Sequence, residues 1–519
     1  MRKLMVSAIS ACVLAVTLPW AAAQAGEGPG NFGSFVHERL RIPMRDGITL
    51  SADVWRPVTE QRVPVVIQMT PYHAVMKALD RNEDDLPTDL YASRLVRRGY
   101  AWAIVDVRGT YNSGGCWDYG GIKERQDGYD TVEWFGTVPV WSNGAVAMIG
   151  ASYDGTTANA AAIEQPPHLK TIVPISAISS WYDYAYERGA RITSSGDRAD
   201  LDPPSDTPAD FMFAYGVVPP PDQNRLDDPT ALTDRFRPCA RVEQTLAGYA
   251  DGRSDAFWEE RRYLSRADMV EVPVLVAHGL NDWNVKPSQG LDWFQALPGR
   301  KVLVAGQWEH ALPAYGGWVP LLFNWFDHYL YGVDNGVDQI DPVIIDGRGG
   351  AGFDLRSDLG GTPVEVPVGG GSSMIQDSGT LTETAMFATG SGAASRTLGF
   401  GGPSRIEGRP RLELPFTTDS PGTRFAAWLR ACSSGSCEVI GRAFADARFR
   451  QGLAEPVPTV PGERTSISLE FHAMSADLGV GETLELWIAS SSNTWIAPDV
   501  WRATTTLHLD DATLILPTA

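Results

Sequence analysis

The sequence predicts an α/β domain with an inserted helical cap, followed by an all-β domain. Three observations carry this. Continuous apolar runs such as Val63–Met69 and Ala101–Val107 alternate with helical stretches, the pattern of a mostly parallel sheet with covered faces. That alternation stops between about Ser176 and Met269, where Asp, Arg, Pro and aromatics dominate and no strand run occurs. From about Asp341 helices stop, and short alternating runs follow between Gly, Ser, Pro and Asp.

Taken in order, the chain opens on Arg2 and Lys3, an apolar run Leu4–Trp20, and small residues Ala21-Ala22-Ala23-Gln24-Ala25, which reads as a signal peptide over residues 1–25 and predicts a secreted protein. Cys12 offers a rival lipid-attachment reading, but the apolar run before it is short for an h-region of roughly 7–15 residues. Residues 26–175 and 270–335 then form the sheet domain. A hairpin turns at Arg45-Asp46-Gly47. Strands are expected at Val63–Met69, Ala101–Val107, Val146–Ala151, Thr171–Pro174, Val272–Ala277 and, last, Lys301–Ala305. Helices are expected at Leu86–Arg98, Asp127–Phe135, Thr156–Glu164, Ser288–Leu297 and Pro320–Leu330, with the cap over 176–269. Residues 340–519 are long enough for a sandwich or jelly roll, with strands at Arg411–Thr417, Arg424–Arg430, Ser466–Ala473, Thr483–Ala489 and Thr504–Leu509.

The formal net charge of -20 argues against a nucleic-acid surface, and no segment beyond the leader is long and apolar enough to span a membrane. Past the leader, Cys116, Cys239, Cys432 and Cys437 allow three pairings. Cys432 and Cys437 flank Ser-Ser-Gly-Ser, a hairpin tip that favours a local bridge and leaves Cys116 for Cys239.

The chemistry centres on Val146–Gly155, V-A-M-I-G-A-S-Y-D-G. A strand ending in Gly, then Ser, then Gly is how a serine is placed at a sharp strand-to-helix corner above a parallel sheet. Here the pattern is G-x-S-Y-x-G, with Asp154 before Gly155. A serine hydroxyl needs a base to take its proton and a carboxylate to orient that base. His328 falls in the closing helix and His472 and His508 in β-domain strands, so His310, in a loop after a sheet strand, is the base. Asp282, in the loop after the preceding strand, is the acid. Ser152, Asp282 and His310 follow in the order Ser, Asp, His, at carboxyl ends of strands, as in an α/β-hydrolase. The oxyanion takes one donor from the Tyr153 backbone N–H and a second from the Thr70-Pro71-Tyr72 loop, where the Tyr72 phenol is the candidate. No metal or cofactor is needed.

The segments G-A-S-Y-D-G-T, S-S-W-Y-D-Y, H-G-L-N-D-W-N-V-K-P, G-Q-W-E-H and W-F-D-H-Y-L-Y-G-V-D-N-G resemble the Xaa-Pro dipeptidyl-peptidase family (S15), whose relatives include cocaine esterase-like and α-amino-acid ester hydrolases. The resemblance runs from about Val36 to the C-terminus. It implies an α/β-hydrolase fold with a helical cap and a C-terminal jelly roll, with Ser152 as nucleophile, Asp282 as acid, His310 as base and Tyr72 as phenolic oxyanion donor. An exopeptidase acting after the second residue must hold a free α-ammonium, a task for a carboxylate in a partly closed pocket. Glu187 and Asp197 in the cap are the candidates. The family carries Gly-Glu-Asp near this place, whereas this chain has Gly196-Asp197-Arg198. Trp181, Tyr184 and Trp283 are candidates to wall a proline-sized pocket. The β-domain aromatics Trp428, Trp487, Trp495 and Trp501 are expected mainly as core. The sequence therefore points to an exported dipeptidyl-peptidase releasing Xaa-Pro dipeptides. Its alternatives are an esterase or acylase on the same residues, or a degenerate hydrolase used as a binding protein.

Overall fold

A computed structural model describes residues 30–73, 91–192, 239–242, 252–350, 352–376, 382–402, 404–490, 492, 494–496 and 501–519. The signal peptide, Asp197 and much of the cap lie outside the described residues. The sheet domain is built on β1 (Phe35–Pro43), β2 (Thr49–Pro57), β3 (Val63–Thr70), β4 (Ala101–Asp106), β5 (Ser142–Ala151) and β6 (Leu169–Ile175). After the cap come β9 (Val274–Gly279), β10 (Lys301–Gly306), β11 (Val343–Ile345) and β12 (Asp354–Arg356), where β7 and β8 are the cap strands Tyr186–Glu187 and Ala190–Arg191. The order is β1-β2-β4-β3-β5-β6-β9-β10-β11-β12. From β4 to β11 the neighbours are parallel, while β1, β2 and β12 add antiparallel edges.

Lys301–Ala305 is therefore not the last strand of this sheet. The Val-Ile-Ile run of β11 extends it, with Leu303 N donating to Pro342 O at 2.7 Å. A three-residue strand after Asp-Pro carries too little periodicity to stand out in the sequence. Alternation across the pleat makes two cores. In β4, Ala101, Ala103 and Val105 enter one and Trp102 and Ile104 the other. The helices α1 (Ala92–Arg98), α2 (Ile122–Thr137) and α3 (Tyr153–Ala162), then α6 (Pro287–Ala296) and α7 (Trp318–Tyr331), cover the faces. In the cap, α4 (Trp181–Ala185) starts on Ser180, whose side chain accepts from Asp183 N, and α5 (Ala256–Glu260) on Asp255, which accepts from Phe257 N and Trp258 N. The short hairpin β7–β8 follows α4 directly, although no strand is legible there in the sequence. Cys116 is bonded to Cys239, fixing this part of the cap to the sheet domain.

The C-terminal domain packs two antiparallel sheets. One joins β13 (Thr362–Pro367), β14 (Ser372–Gln376), β16 (Ser404–Gly408), β17 (Arg411–Thr418), β20 (Arg464–Glu470), β21 (Met474–Leu478), β23 (Thr504–His508) and β24 (Thr513–Thr518). The other is β15 (Ala393–Gly401), β22 (Thr483–Ala489), β18 (Arg424–Ser433) and β19 (Ser436–Asp446). The alternating Leu412, Leu414 and Phe416 of β17 show how period-2 patterning fills the core between them. Helix α8 (Glu383–Thr389) interrupts this domain, capped by Thr382 and stopped at Gly390. Cys432 and Cys437 face each other across the β18–β19 pair and are bonded, and the tip residues Ser434 and Gly435 take φ of 41° and 89°. Trp428, Trp487 and Trp495 are buried, whereas Trp501 is exposed. No helix among the described residues is long and apolar enough to cross a membrane.

Candidate active site

β5 delivers Ser152 to the carboxyl edge of the sheet and α3 begins at the next residue. Ser152 adopts φ 61° and ψ -124°, a conformation that costs on the order of 1–3 kcal/mol for a non-glycine residue and persists only where its surroundings enforce it. They do so here. A Cβ on Gly150 would lie 2.3 Å from Asp154 Cβ, and one on Gly155 would lie 2.6 Å from the Gly150 carbonyl oxygen. Both glycines are contact points between strand and helix. Asp154 is buried, and its carboxylate accepts from Gln68 Nε2 of β3 at 2.7 Å, which ties the corner to the neighbouring strand.

Asp282 and His310 stand on the same edge, after β9 and β10, which are parallel neighbours. The Asp282 carboxylate is fully buried. Its Oδ1 accepts from Asn284 N at 3.1 Å and Val285 N at 2.8 Å, while Oδ2 lies 2.8 Å from His310 Nδ1. The backbone amides thus fix the carboxylate, and the carboxylate orients the imidazole. His278, the buried histidine of β9, has no signal in the sequence to mark its role. Its Nε2 lies 2.7 Å from Val285 O and 3.8 Å from Asp282 Oδ2, and burial lowers its pKa, which keeps the ring neutral behind the pair.

Tyr72 reaches Ser152 from the loop after β3. Its phenol is hydrogen-bonded with the Ser152 side chain and the Tyr153 backbone N–H. Burial, and secondarily the Asp154 carboxylate, push its pKa up, so it remains a protonated donor. The next residue, His73, clamps this loop: Nδ1 lies 2.5 Å from Asp106 and Nε2 3.2 Å from Asp53, both buried carboxylates. Such a cross-strand clamp has no sequence signal, because its members are scattered over β2, the Tyr72 loop and β4.

A strained serine, an oriented imidazole and a phenol on the serine side chain thus share one sheet edge in a chain with a separate β domain. The family described as X-Pro dipeptidyl-peptidase (S15 family) matches residues 46–312, and its C-terminal non-catalytic domain matches residues 372–517. The chain belongs to the X-Pro dipeptidyl-peptidase (S15) family. It is a serine hydrolase with the α/β-hydrolase sheet and a C-terminal β domain. A relative from Streptomyces avermitilis is 28% identical, covering 97% of this chain and 87% of its own length. The Xaa-Pro dipeptidyl-peptidase of Lactiplantibacillus plantarum is 30% identical over 57% of this chain and 37% of its own length. An α-amino acid ester hydrolase shares the fold with a TM-score of 0.71 at 19% identity, covering 98% of this chain and 100% of the other.

Among the S15 chain's expected substrate-binding residues, the structure gathers some and separates others. Trp181 and Tyr184 lie together, ring centroids 5.9 Å apart, and both are buried. Trp181 donates to Tyr263 OH at 3.0 Å and packs 5.2 Å from Tyr153, while Tyr184 donates to Asn284 in the Asp282 loop at 3.1 Å. Trp283 is not with them. It packs towards the β domain, against His472 and Trp495, with the Arg442 guanidinium 4.4 Å from its ring centroid. Glu187 is buried and lies 2.6 Å from His472 Nε2. Both line a cavity of about 210 Å³ with Asp183, Asp292 and Arg409, and none of Ser152, Asp282 and His310 borders it. Lys286, also missed in the sequence, is buried beside this region, and burial pushes its pKa down to about 8.

Proposed function

We propose that the protein is exported and releases Xaa-Pro dipeptides from peptide N-termini through an acyl-enzyme on Ser152. The observation that supports this best is the shared sheet edge: Ser152 at φ 61°, Tyr72 on its side chain, and the His310–Asp282 pair at 2.8 Å, all within the S15 family. In this reading Ser152 Oγ attacks the carbonyl carbon of the second residue while its proton passes to His310. Asp282 steadies the imidazolium. The oxyanion accepts from Tyr153 N–H and Tyr72 O–H. His310 returns the proton to the leaving amine as the C–N bond breaks. Water then attacks the ester, gives its proton to His310, and leaves the dipeptide acid and the free serine hydroxyl. Export rests on the Arg2–Ala25 leader and accords with two disulfides. Because His472 engages Glu187, Asp197 is the proposed ammonium anchor.

That same engagement favours one second reading, an esterase for α-amino or aryl esters with no strict demand for a free amine. The test is mature protein against Ala-Pro-p-nitroanilide, its N-acetyl form and p-nitrophenyl acetate, with Ser152→Ala as control. Cleavage of the free-amine anilide and not the acetylated one is expected. Ester hydrolysis without anilide turnover overturns the peptidase and leaves the esterase.

A further inference from the structure

A buried carboxylate hydrogen-bonded to Tyr153, the residue after Ser152, is not used by the mechanism above. Glu124 sits in the first turn of α2 and is 4% exposed. Its Oε2 lies 2.5 Å from the Tyr153 hydroxyl, and its Oε1 accepts from Asp118 N at 3.0 Å. The Trp117 indole donates to the same Tyr153 oxygen at 2.8 Å. An indole N–H only donates, so the Tyr153 oxygen accepts from Trp117 and its own proton must go to Glu124. The donors run one way, Trp117 to Tyr153 to Glu124, and the set fits an ionised carboxylate, which only accepts. A proton on Oε2 would set two O–H groups against each other in the gap to Tyr153, and a proton on Oε1 would compete with the Asp118 N–H that this oxygen accepts.

We propose that Glu124 is a positioning residue for the oxyanion donor: ionised, it anchors the Tyr153 side chain and so fixes the Tyr153 backbone N–H beside Ser152. This rests on the reading of Ser152 as nucleophile and of that N–H as a donor. The same network reaches the pocket aromatics, since Trp181 donates to Tyr263 OH and Tyr263 donates to Gly120 O at 2.5 Å. Tyr119 and Tyr153 pack on Trp181 with centroids 4.4 and 5.2 Å away, and Trp117 packs on Tyr119 and Tyr153 at 5.0 and 6.3 Å.

The charges facing Glu124 leave it near its switching point. Burial, with Asp118 and Asp127 adding to it, pushes its pKa up to about 7 against the opposing bond from Tyr153. Asp127, on its own helix, is held by Arg108 at 2.6 Å. Asp118, on the loop, faces Arg261 at 3.3 Å and Arg241 at 3.6 Å, which also meet Glu260. Arg125 on α2 lies 3.4 Å from Glu164. Among the described residues, none of these cations is within ion-pair reach of Glu124 itself.

Activity thus requires two deprotonations on the acid side, His310 and Glu124, where the triad alone requires one. The experiment is the pH profile of kcat and kcat/KM for p-nitrophenyl acetate with wild type, Glu124→Gln and Tyr153→Phe, each checked by thermal melting, and Ser152→Ala as control. The wild-type acid limb should approach a slope of two below about pH 6. Both variants should lose about tenfold in kcat with KM little changed, and their limbs should fall to a slope of one. A wild-type slope of one overturns the proposal, as does a variant that melts lower yet keeps the wild-type slope, since that marks a structural role alone. If Glu124→Gln fails to fold, the wild-type slope and Tyr153→Phe still decide. Retained activity in Ser152→Ala strikes the nucleophile reading instead.

Discussion

The Glu187 carboxylate lies 2.6 Å from Nε2 of His472, joining the cap hairpin to the β domain. The His472 ring also packs edge-on to Trp283, beside Asp282, and its Nδ1 lies 3.3 Å from Ser288 Oγ. Three parts of the chain meet at this one contact. Glu187→Ala leaves a buried imidazole nitrogen without its partner and should lower stability by about 1–3 kcal/mol. It should leave the ratio of free-amine to acetylated anilide turnover within about twofold, because the carboxylate is engaged elsewhere. A collapse of that ratio would return Glu187 to the role of ammonium anchor.

Asp282 holds His310 through Nδ1, so Asp282→Asn should keep the fold and lose about 10⁴-fold in kcat by favouring the wrong tautomer. Steady-state kinetics beside a circular dichroism spectrum checks this. Labelling of Ser152 by a fluorophosphonate should slow in parallel. Unchanged labelling would mean that another group serves as base.

Tyr72→Phe removes one proposed oxyanion donor together with the phenol's bonds to the Ser152 side chain and Tyr153 N–H, while the ring remains packed by Tyr153 at 6.4 Å. The expected loss is about 10²-fold to 10³-fold in kcat with KM nearly unchanged. A loss confined to KM would make Tyr72 a binding residue.

Lys286 carries a pH signature in stability. Burial holds its folded pKa at about 8, below the ordinary lysine value of about 10.4. Between those values the unfolded chain binds more protons, so stability rises with pH there, and the full penalty applies below about pH 8. The penalty is on the order of 3 kcal/mol. The gap in unfolding free energy between Lys286→Met and wild type should therefore narrow from pH 7 to pH 10, as denaturant melts will read. A constant gap would show that Lys286 is charged in the fold throughout.

The two disulfides should differ in weight. Cys116–Cys239 spans a separation of 123 residues and Cys432–Cys437 one of 5. On chain entropy alone they contribute about 5 and about 2 kcal/mol. Replacing Cys116 and Cys239 by serine should cost more in melting temperature. It should also lower kcat, because Cys239 N donates to Trp117 O in the network under Tyr153. Equal losses would locate the stabilisation elsewhere.

The sequence by itself determined the parts written in local pattern. Buried runs such as Val63–Met69 marked strands, the Gly150–Gly155 spacing marked the serine corner, and the order of Ser152, Asp282 and His310 along the chain placed them at strand ends. Such features depend on residues a few positions apart, so they survive in one dimension. The tertiary structure alone decided what depends on residues far apart in the chain. It extended the sheet through β11 and β12, turned Trp283 towards Arg442 of the β domain, and engaged Glu187 with His472. It also set Glu124 against Tyr153 and His73 between Asp53 and Asp106. A buried polar group must find a partner, and that partner's identity is fixed by packing between elements, not by spacing along the chain.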